Sequence, residues 1–114
     1  MDKDCVIIEL KENSLDRVRE WAAFINQYRE AALDTLKNEG VTIESFFLVK
    51  LDEKDYLVSV MRAKSMKKAH EAIKQSLSEV DAYHQRFQKD TWNKGNKGEL
   101  LVDLSRIKDE ESYA

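Results

Sequence analysis

The chain has 114 residues, of which 42% are hydrophobic and 36% charged, and its formal net charge is −3. This balance is typical of one globular domain spanning residues 1–114, and it excludes a disordered chain. The acidic charge argues against a nucleic-acid partner, and no stretch approaches the ~20 apolar residues of a membrane span.

The first predicted elements are a strand and a helix. Residues 5–11 form a short β-rich run, after which Asn13 or Ser14 is placed to cap a helix. Apolar residues then recur at helical spacing as far as Leu36, which predicts one continuous helix. Gly40 follows at the position where a left-handed residue ends a helix.

Residues 41–64 are expected to form a β-hairpin with a charged tip, DEKD. A four-residue loop and a two-residue Glu53–Lys54 turn are both compatible with this tip. Either one pairs Leu51 with Tyr56, and this pairing fixes the partners along both strands.

A second helical segment begins after Ser65 and carries apolar residues at spacings of three and four as far as Phe87. It is either continuous or broken and restarted at Ser78, which has an acidic residue three positions later. Residues 93–98 are then predicted to form a turn and residues 99–107 the closing strand. The order β-α-β-β-α-β predicts a ferredoxin-like α+β fold, a four-stranded antiparallel sheet with two helices on one face.

Alternation along the hairpin gives the sheet two apolar faces. We expect the face with Glu44 to be free of helices and to join two subunits sheet to sheet in a homodimer, because large apolar patches seldom stay exposed. That face is predicted to carry Ile7, Glu44, Phe46, Leu48, Leu57, Ser59, Met61 and Leu101, and the opposite face Ile43, Phe47, Val49, Val58 and Val60.

Several motifs together resemble a family of small bacterial proteins known only as a domain of unknown function. They are the pair Glu20–Trp21, the strand VTIESFFL with Glu44 and Ser45, and the segment VDAYHQRF with Asp81, His84 and Phe87. The family is similar to the dimeric α+β barrel superfamily, which includes antibiotic-biosynthesis monooxygenases. The resemblance implies a fold and a dimer but no reaction, because a fold does not fix function.

The candidate catalytic residues are His84, Glu44 and Asp81. His84 interrupts an apolar helical row, so it is either a proton-transfer group or a buried neutral imidazole held by a carboxylate or a carbonyl. Glu44 on an apolar face is either a base with a raised pKa or a residue that reaches water or a cation. Asp81 lies one turn before His84, where it either orients the imidazole or is solvated.

We expect Trp21, Tyr28 and Phe87 to line a ligand pocket, with His84 beside Trp21 or Tyr28. Two ligands at the spacing of Asp81 and His84 are too few for a metal site, and no motif supports a cofactor. Cys5 is the only cysteine and the N-terminus lacks a signal-peptide pattern, so we expect a cytoplasmic protein.

Three functions remain open at this point. The first is a homodimer that binds a small apolar ligand between helices and sheet. The second is a cofactor-independent monooxygenase or isomerase that uses His84, and the third is a protein-interaction module whose sheet meets another partner.

Overall fold

The computed structural model describes residues 1–107, which form four strands and four helices. The strands are β1 (Asp2–Leu10), β2 (Val41–Leu51), β3 (Lys54–Ala63) and β4 (Trp92–Lys97), and the helices are α1 (Leu15–Gln27), α2 (Arg29–Glu39), α3 (Met66–Gln75) and α4 (Glu79–Thr91). The sheet is antiparallel with the order β2-β3-β1-β4. This confirms the predicted ferredoxin-like α+β class.

The first helical region is two helices, so the prediction of one continuous helix was wrong. Tyr28 separates α1 from α2 with φ −100° and ψ 40°, outside the helical range. The bend lets α1 pack against α4 while α2 packs against α3 and β2, which a straight helix could not do. Gly40 ends α2 at φ 74°, as the sequence predicted.

The second helical region is also two helices, which decides between the two alternatives. Ser78 caps α4, because its side-chain oxygen accepts from the backbone N–H of Val80 at 3.1 Å and of Asp81 at 3.5 Å. Ser65 caps α3 in the same way. Ser14, in contrast, makes no side-chain cap, and its hydroxyl donates to the Lys11 carbonyl.

The hairpin turns at Asp52 and Glu53, which both have positive φ, 50° and 65°. Two such residues form the tight turn that suits the twist of the flanking strands. Leu51 therefore pairs with Lys54, not with Tyr56, so the predicted pairing was wrong by two residues. An even shift changes the partners but leaves each side chain on its face.

The last strand, β4, occupies residues that were predicted to form a turn. The chain pairs with β1 as soon as α4 ends, because the Thr91 carbonyl already accepts from the Lys11 N–H at 2.7 Å and Trp92 pairs with Leu10. Residues 99–107 form no strand, which corrects the predicted closing strand. Their apolar side chains are largely exposed: Leu100, Leu101, Val102, Leu104 and Ile107.

The helices cover the face of the sheet that carries Glu44, Phe46 and Leu57, so the assignment of that face to the dimer interface was wrong. Both faces are apolar, and alternation alone does not tell which one the helices cover. Two buried clusters form under the helices. One contains Ile8, Leu10, Val18, Trp21, Leu57 and Phe87, and the other Val41, Ala63, Met66 and Ala69.

The outer face of the sheet remains open to solvent. Ile7 belongs to it, because it pairs with Val58 beside Phe47, although the sequence had placed it on the other face. Phe47 is 57% exposed and Ile7 45%. We call this surface the outer face; its apolar residues are Ile7, Ile43, Phe47, Val49, Leu51, Val58 and Val60.

Candidate functional site

A cavity of about 670 Å³ lies between the helices and the covered face of the sheet. Such a volume is within the range of small-molecule sites, ~300–1,000 Å³. Nine apolar side chains form its walls: Val6, Ile8, Trp21, Ile25, Leu36, Phe46, Met61, Val80 and Trp92. The polar groups on these walls include His84, Glu39, Glu44 and Asp81.

His84, on α4, is held in one tautomer by Trp21, on α1. The indole N–H of Trp21 donates to Nδ1 of His84 at 3.1 Å. An indole nitrogen is a donor only, so Nδ1 must be the acceptor and the ring proton of the neutral imidazole lies on Nε2. The predicted partner was a carboxylate or a carbonyl; the actual partner is an indole, which came into range when α1 packed against α4.

Burial lowers the pKa of His84 to about 4, against a smaller opposing influence of the Asp81 charge. The imidazole is therefore neutral near pH 7. Because Nδ1 is occupied by Trp21, His84 presents a hydrogen-bond donor, Nε2–H, on the wall of the cavity. An N–H in this position suits an oxygen acceptor on a ligand.

Aromatic packing fixes the orientation of Trp21. Its ring stacks on Phe87 with centroids 4.3 Å apart and an angle of 2°, and it meets Phe46 edge to face at 4.9 Å and 89°. Phe87 is fully buried and does not line the cavity, so it supports Trp21 rather than contacting a ligand. Trp92 faces His84 edge-on at 6.0 Å and extends the aromatic wall.

Three carboxyl groups meet on the same wall. Glu39, at the end of α2, and Asp81, at the start of α4, are each 8% exposed. Burial, together with the charges of Asp81 and Glu44, raises the pKa of Glu39 to about 8. Burial and the Asp81 charge raise the pKa of Glu44, on β2, to about 7. The wall therefore holds exchangeable protons near neutral pH.

Two buried polar atoms in the described chain have no hydrogen-bond partner: Oε2 of Glu39 and Nε1 of Trp92. Both residues line the cavity. Buried polar atoms are nearly always paired, so one unpaired acceptor and one unpaired donor in the same cavity indicate a place for a ligand.

Tyr28, which the sequence placed at the pocket, lies elsewhere, and two residues that the sequence analysis did not name line the cavity, His70 and Glu39. Tyr28 is 48% exposed, contacts the ring of Phe24 and does not line the cavity, so the structure does not bring it to the site. His70 is exposed and lines the cavity. Glu39 was missed, although it stands three residues after Leu36 on the apolar stripe, where a carboxylate is unusual.

Within residues 1–107, no group of three or more His, Cys, Asp or Glu side chains is arranged to hold a metal ion. None of the described helices has the length and hydropathy to cross a bilayer.

Comparisons with known proteins agree with the fold and the resemblance. The model of a family described as "Family of unknown function (DUF6176)" matches residues 1–109. The crystal structure of protein Atu4242 from Agrobacterium tumefaciens matches 96% of this chain and 98% of its own, with a TM-score of 0.53 and 10% identity. A "Putative antibiotic biosynthesis monooxygenase" from Nitrosomonas europaea matches 90% of this chain and 100% of its own, with a TM-score of 0.51 and 15% identity. No curated protein matches significantly. At sequence identities of 10% and 15%, the two structures show that this chain shares their fold and nothing beyond it.

Proposed function

Because the chain belongs to the DUF6176 family, whose function is unknown, its function has to be argued from its site, and we propose that the cavity binds a small, largely apolar ligand. The observation that carries this proposal is the conjunction of apolar walls with two unpaired buried polar atoms. A flat ring fits against Trp21 and Phe46. An oxygen acceptor on that ring would accept from Nε2–H of His84 and from the Trp92 indole.

The energetic argument rests on the unpaired indole of Trp92. A buried donor without a partner costs ~1–3 kcal/mol, which a ligand oxygen would return. Apolar contact adds ~25 cal/mol for each Å² removed from water. A ligand whose ring carries a carbonyl group should therefore bind more tightly than the same ring without it.

The test uses 2-acetylnaphthalene and its analogue without the carbonyl, 2-ethylnaphthalene, in NMR titrations of the backbone amides. We expect saturable shifts at cavity residues, with the ketone bound at least ~5-fold tighter, which corresponds to about 1 kcal/mol. Ser59→Leu, which fills the cavity from β3, should abolish binding. Val60→Leu changes the outer face of the same strand and should leave it intact. Shifts spread over the surface and unaffected by Ser59→Leu would contradict the proposal.

The same proposal includes a homodimer, joined through the outer face to give a dimeric α+β barrel. Exposed Ile7, Phe47 and Val60 support this, since a monomer would leave them in water. A cytoplasmic location is part of the proposal and rests on Cys5, which is exposed and unpaired. If sedimentation shows a monomer, and if its outer face binds a different protein, the chain is an interaction module instead.

A second candidate function is a cofactor-independent enzyme, an isomerase or a monooxygenase. Glu44 favours it, because a carboxylate with a pKa of about 7 is suited to accept and return a proton near neutral pH. Glu44 would take a proton from the carbon beside a ligand carbonyl, and His84 Nε2–H would stabilise the enolate oxygen. An isomerase returns that proton to another carbon, whereas a monooxygenase needs dioxygen as co-reactant.

Hydrogen–deuterium exchange at the methyl group of bound 2-acetylnaphthalene tests this second candidate directly. Exchange catalysed by the protein should rise with pH through about pH 7 and be lost in Glu44→Gln. Binding without catalysed exchange would leave the protein a binder.

A further inference from the structure

We propose that the ligand of this cavity carries a positively charged amine, which binds between the carboxyl groups of Glu39 and Asp81. This inference rests on the proposed function and specifies its ligand class. The amine end would meet the acidic wall, and the ring would lie against Trp21 and Phe46.

The first support is the position of the two carboxyl groups. Each belongs to a side chain that is 8% exposed, and both residues line the cavity. Oε2 of Glu39 has no partner, so an acceptor is left open there. An ammonium group has three donors and no acceptor, which matches a wall made of carboxylate oxygens.

The second support is the balance of charge around the pair. Burial is the largest cause of the raised pKa of Glu39, and the charges of Asp81 on α4 and Glu44 on β2 raise it further. His84 is neutral and bonded to Trp21. The cationic side chains that line the cavity are exposed Arg29, Lys74 and Lys97, and Lys97 is ion-paired with Asp4 at 3.1 Å. Protons on Glu39 and Glu44 therefore offset part of the acidic charge near pH 7, and a ligand cation can take their place.

The chemical alternative to an ammonium group is a metal ion. No group of three ligating side chains in residues 1–107 is arranged for one. An organic cation, in contrast, needs only two or three hydrogen bonds and benefits from the adjacent apolar walls. The pH dependence follows: Glu39 keeps its proton below about pH 8, so an amine that pairs with both carboxyl groups should bind more tightly as pH rises from 6 to 8.

The experiment compares 2-(naphthalen-2-yl)ethylamine with 2-(naphthalen-2-yl)ethanol, which has the same ring and a neutral end. In calorimetric titrations at pH 8 we expect the amine to bind at least ~10-fold tighter than the alcohol. Glu39→Gln and Asp81→Asn should each reduce that preference at least ~5-fold. Glu71→Gln, an exposed change on α3, is the matched control and should preserve it.

Three results would overturn the inference. One is equal binding of amine and alcohol by the unaltered protein, which would leave the ligand proposal standing. Another is no binding of the amine, in which case the titration with 2-acetylnaphthalene decides separately whether the cavity binds ligands at all. The last is tight binding of Zn²⁺ or Mn²⁺ alone that displaces the amine. The comparison of amine with alcohol, and its pH profile, need no variant and stand even where a variant fails to fold.

Discussion

Replacing Glu39 by glutamine should change how the stability of the protein depends on pH. The carboxyl group of Glu39 is 8% exposed, and burial is the main reason that its pKa is raised from 4.5 to about 8. The folded state therefore binds a proton that the unfolded state has lost between these two pH values. Its contribution to stability is complete below pH 4.5 and is lost as the pH rises toward 8.

The magnitude follows from the size of the pKa change. At 1.36 kcal/mol per pH unit, moving the pKa from 4.5 to about 8 costs on the order of 5 kcal/mol of stability at high pH and about 3 kcal/mol at pH 7. Glutamine resembles the protonated acid and cannot ionise, so Glu39→Gln should avoid this loss. The variant should match the wild type near pH 5 and exceed it by roughly 3–5 kcal/mol at pH 8.5.

Urea unfolding followed by tryptophan fluorescence at pH 5.0 and 8.5 measures the difference. The pKa of His84 is lowered by its own burial, so its contribution cancels in the comparison; Glu44 interacts with Glu39, so the comparison is repeated with Glu44→Gln in both proteins. Glu71→Gln should show no such pH dependence. A difference between Glu39→Gln and wild type that is equal at both pH values would refute the reasoning, because it would mean that Glu39 is not protonated in the folded protein.

Three further predictions concern the indole partner of His84, the outer face and the cap of α4. Trp21→Phe keeps the aromatic packing but removes the N–H that occupies Nδ1, so long-range ¹H–¹⁵N NMR should show a changed Nδ1 chemical shift while burial keeps the pKa of His84 low; an unchanged Nδ1 shift would contradict the assigned bond. Phe47→Glu should weaken the dimer ~10-fold or more in sedimentation, whereas Lys50→Glu, on the other face of β2, should not. Ser78→Ala should lower the free energy of unfolding by about 1 kcal/mol through loss of the cap, and no change in thermal unfolding would count against it.

Features governed by local chemistry were predicted from the sequence. Gly40 ends a helix because it adopts a left-handed conformation at low cost, and Ser78 restarts one because its oxygen caps free N–H groups. Hydrophobic periodicity likewise predicted the segments that form β1, β2 and β3 and the helical regions that follow β1 and β3. Each of these features depends on a few neighbouring residues.

Features set by tertiary packing were not predicted. The bend at Tyr28 has no glycine or proline to signal it, and it follows from the different partners of α1 and α2. Strand β4 lies in a polar segment, WNKGNK, and its pairing depends on where α4 ends beside β1. Meanwhile the apolar residues that resembled a closing strand, such as Leu101, lie exposed.

Of the candidate site, the sequence indicated the residue that breaks a local pattern but not the contacts that depend on tertiary packing. His84 was identified because a histidine breaks an apolar helical row, and its place beside Trp21 agrees with the expectation of an inward ring. The hydrogen bond from the Trp21 indole to His84 could not be predicted from the sequence, because the two residues are 63 positions apart. Glu39 joins Asp81 only when the end of α2 meets the start of α4.

The most direct test of the account is the protonation state of His84, measured by long-range ¹H–¹⁵N NMR of the imidazole with and without 2-acetylnaphthalene. At pH 6 the account predicts a neutral ring with its proton on Nε2, and a shift of that proton when the ketone binds. An imidazole that titrates near 6.5 and does not respond to the ketone would contradict the claim that His84 presents a donor to a ligand in this cavity.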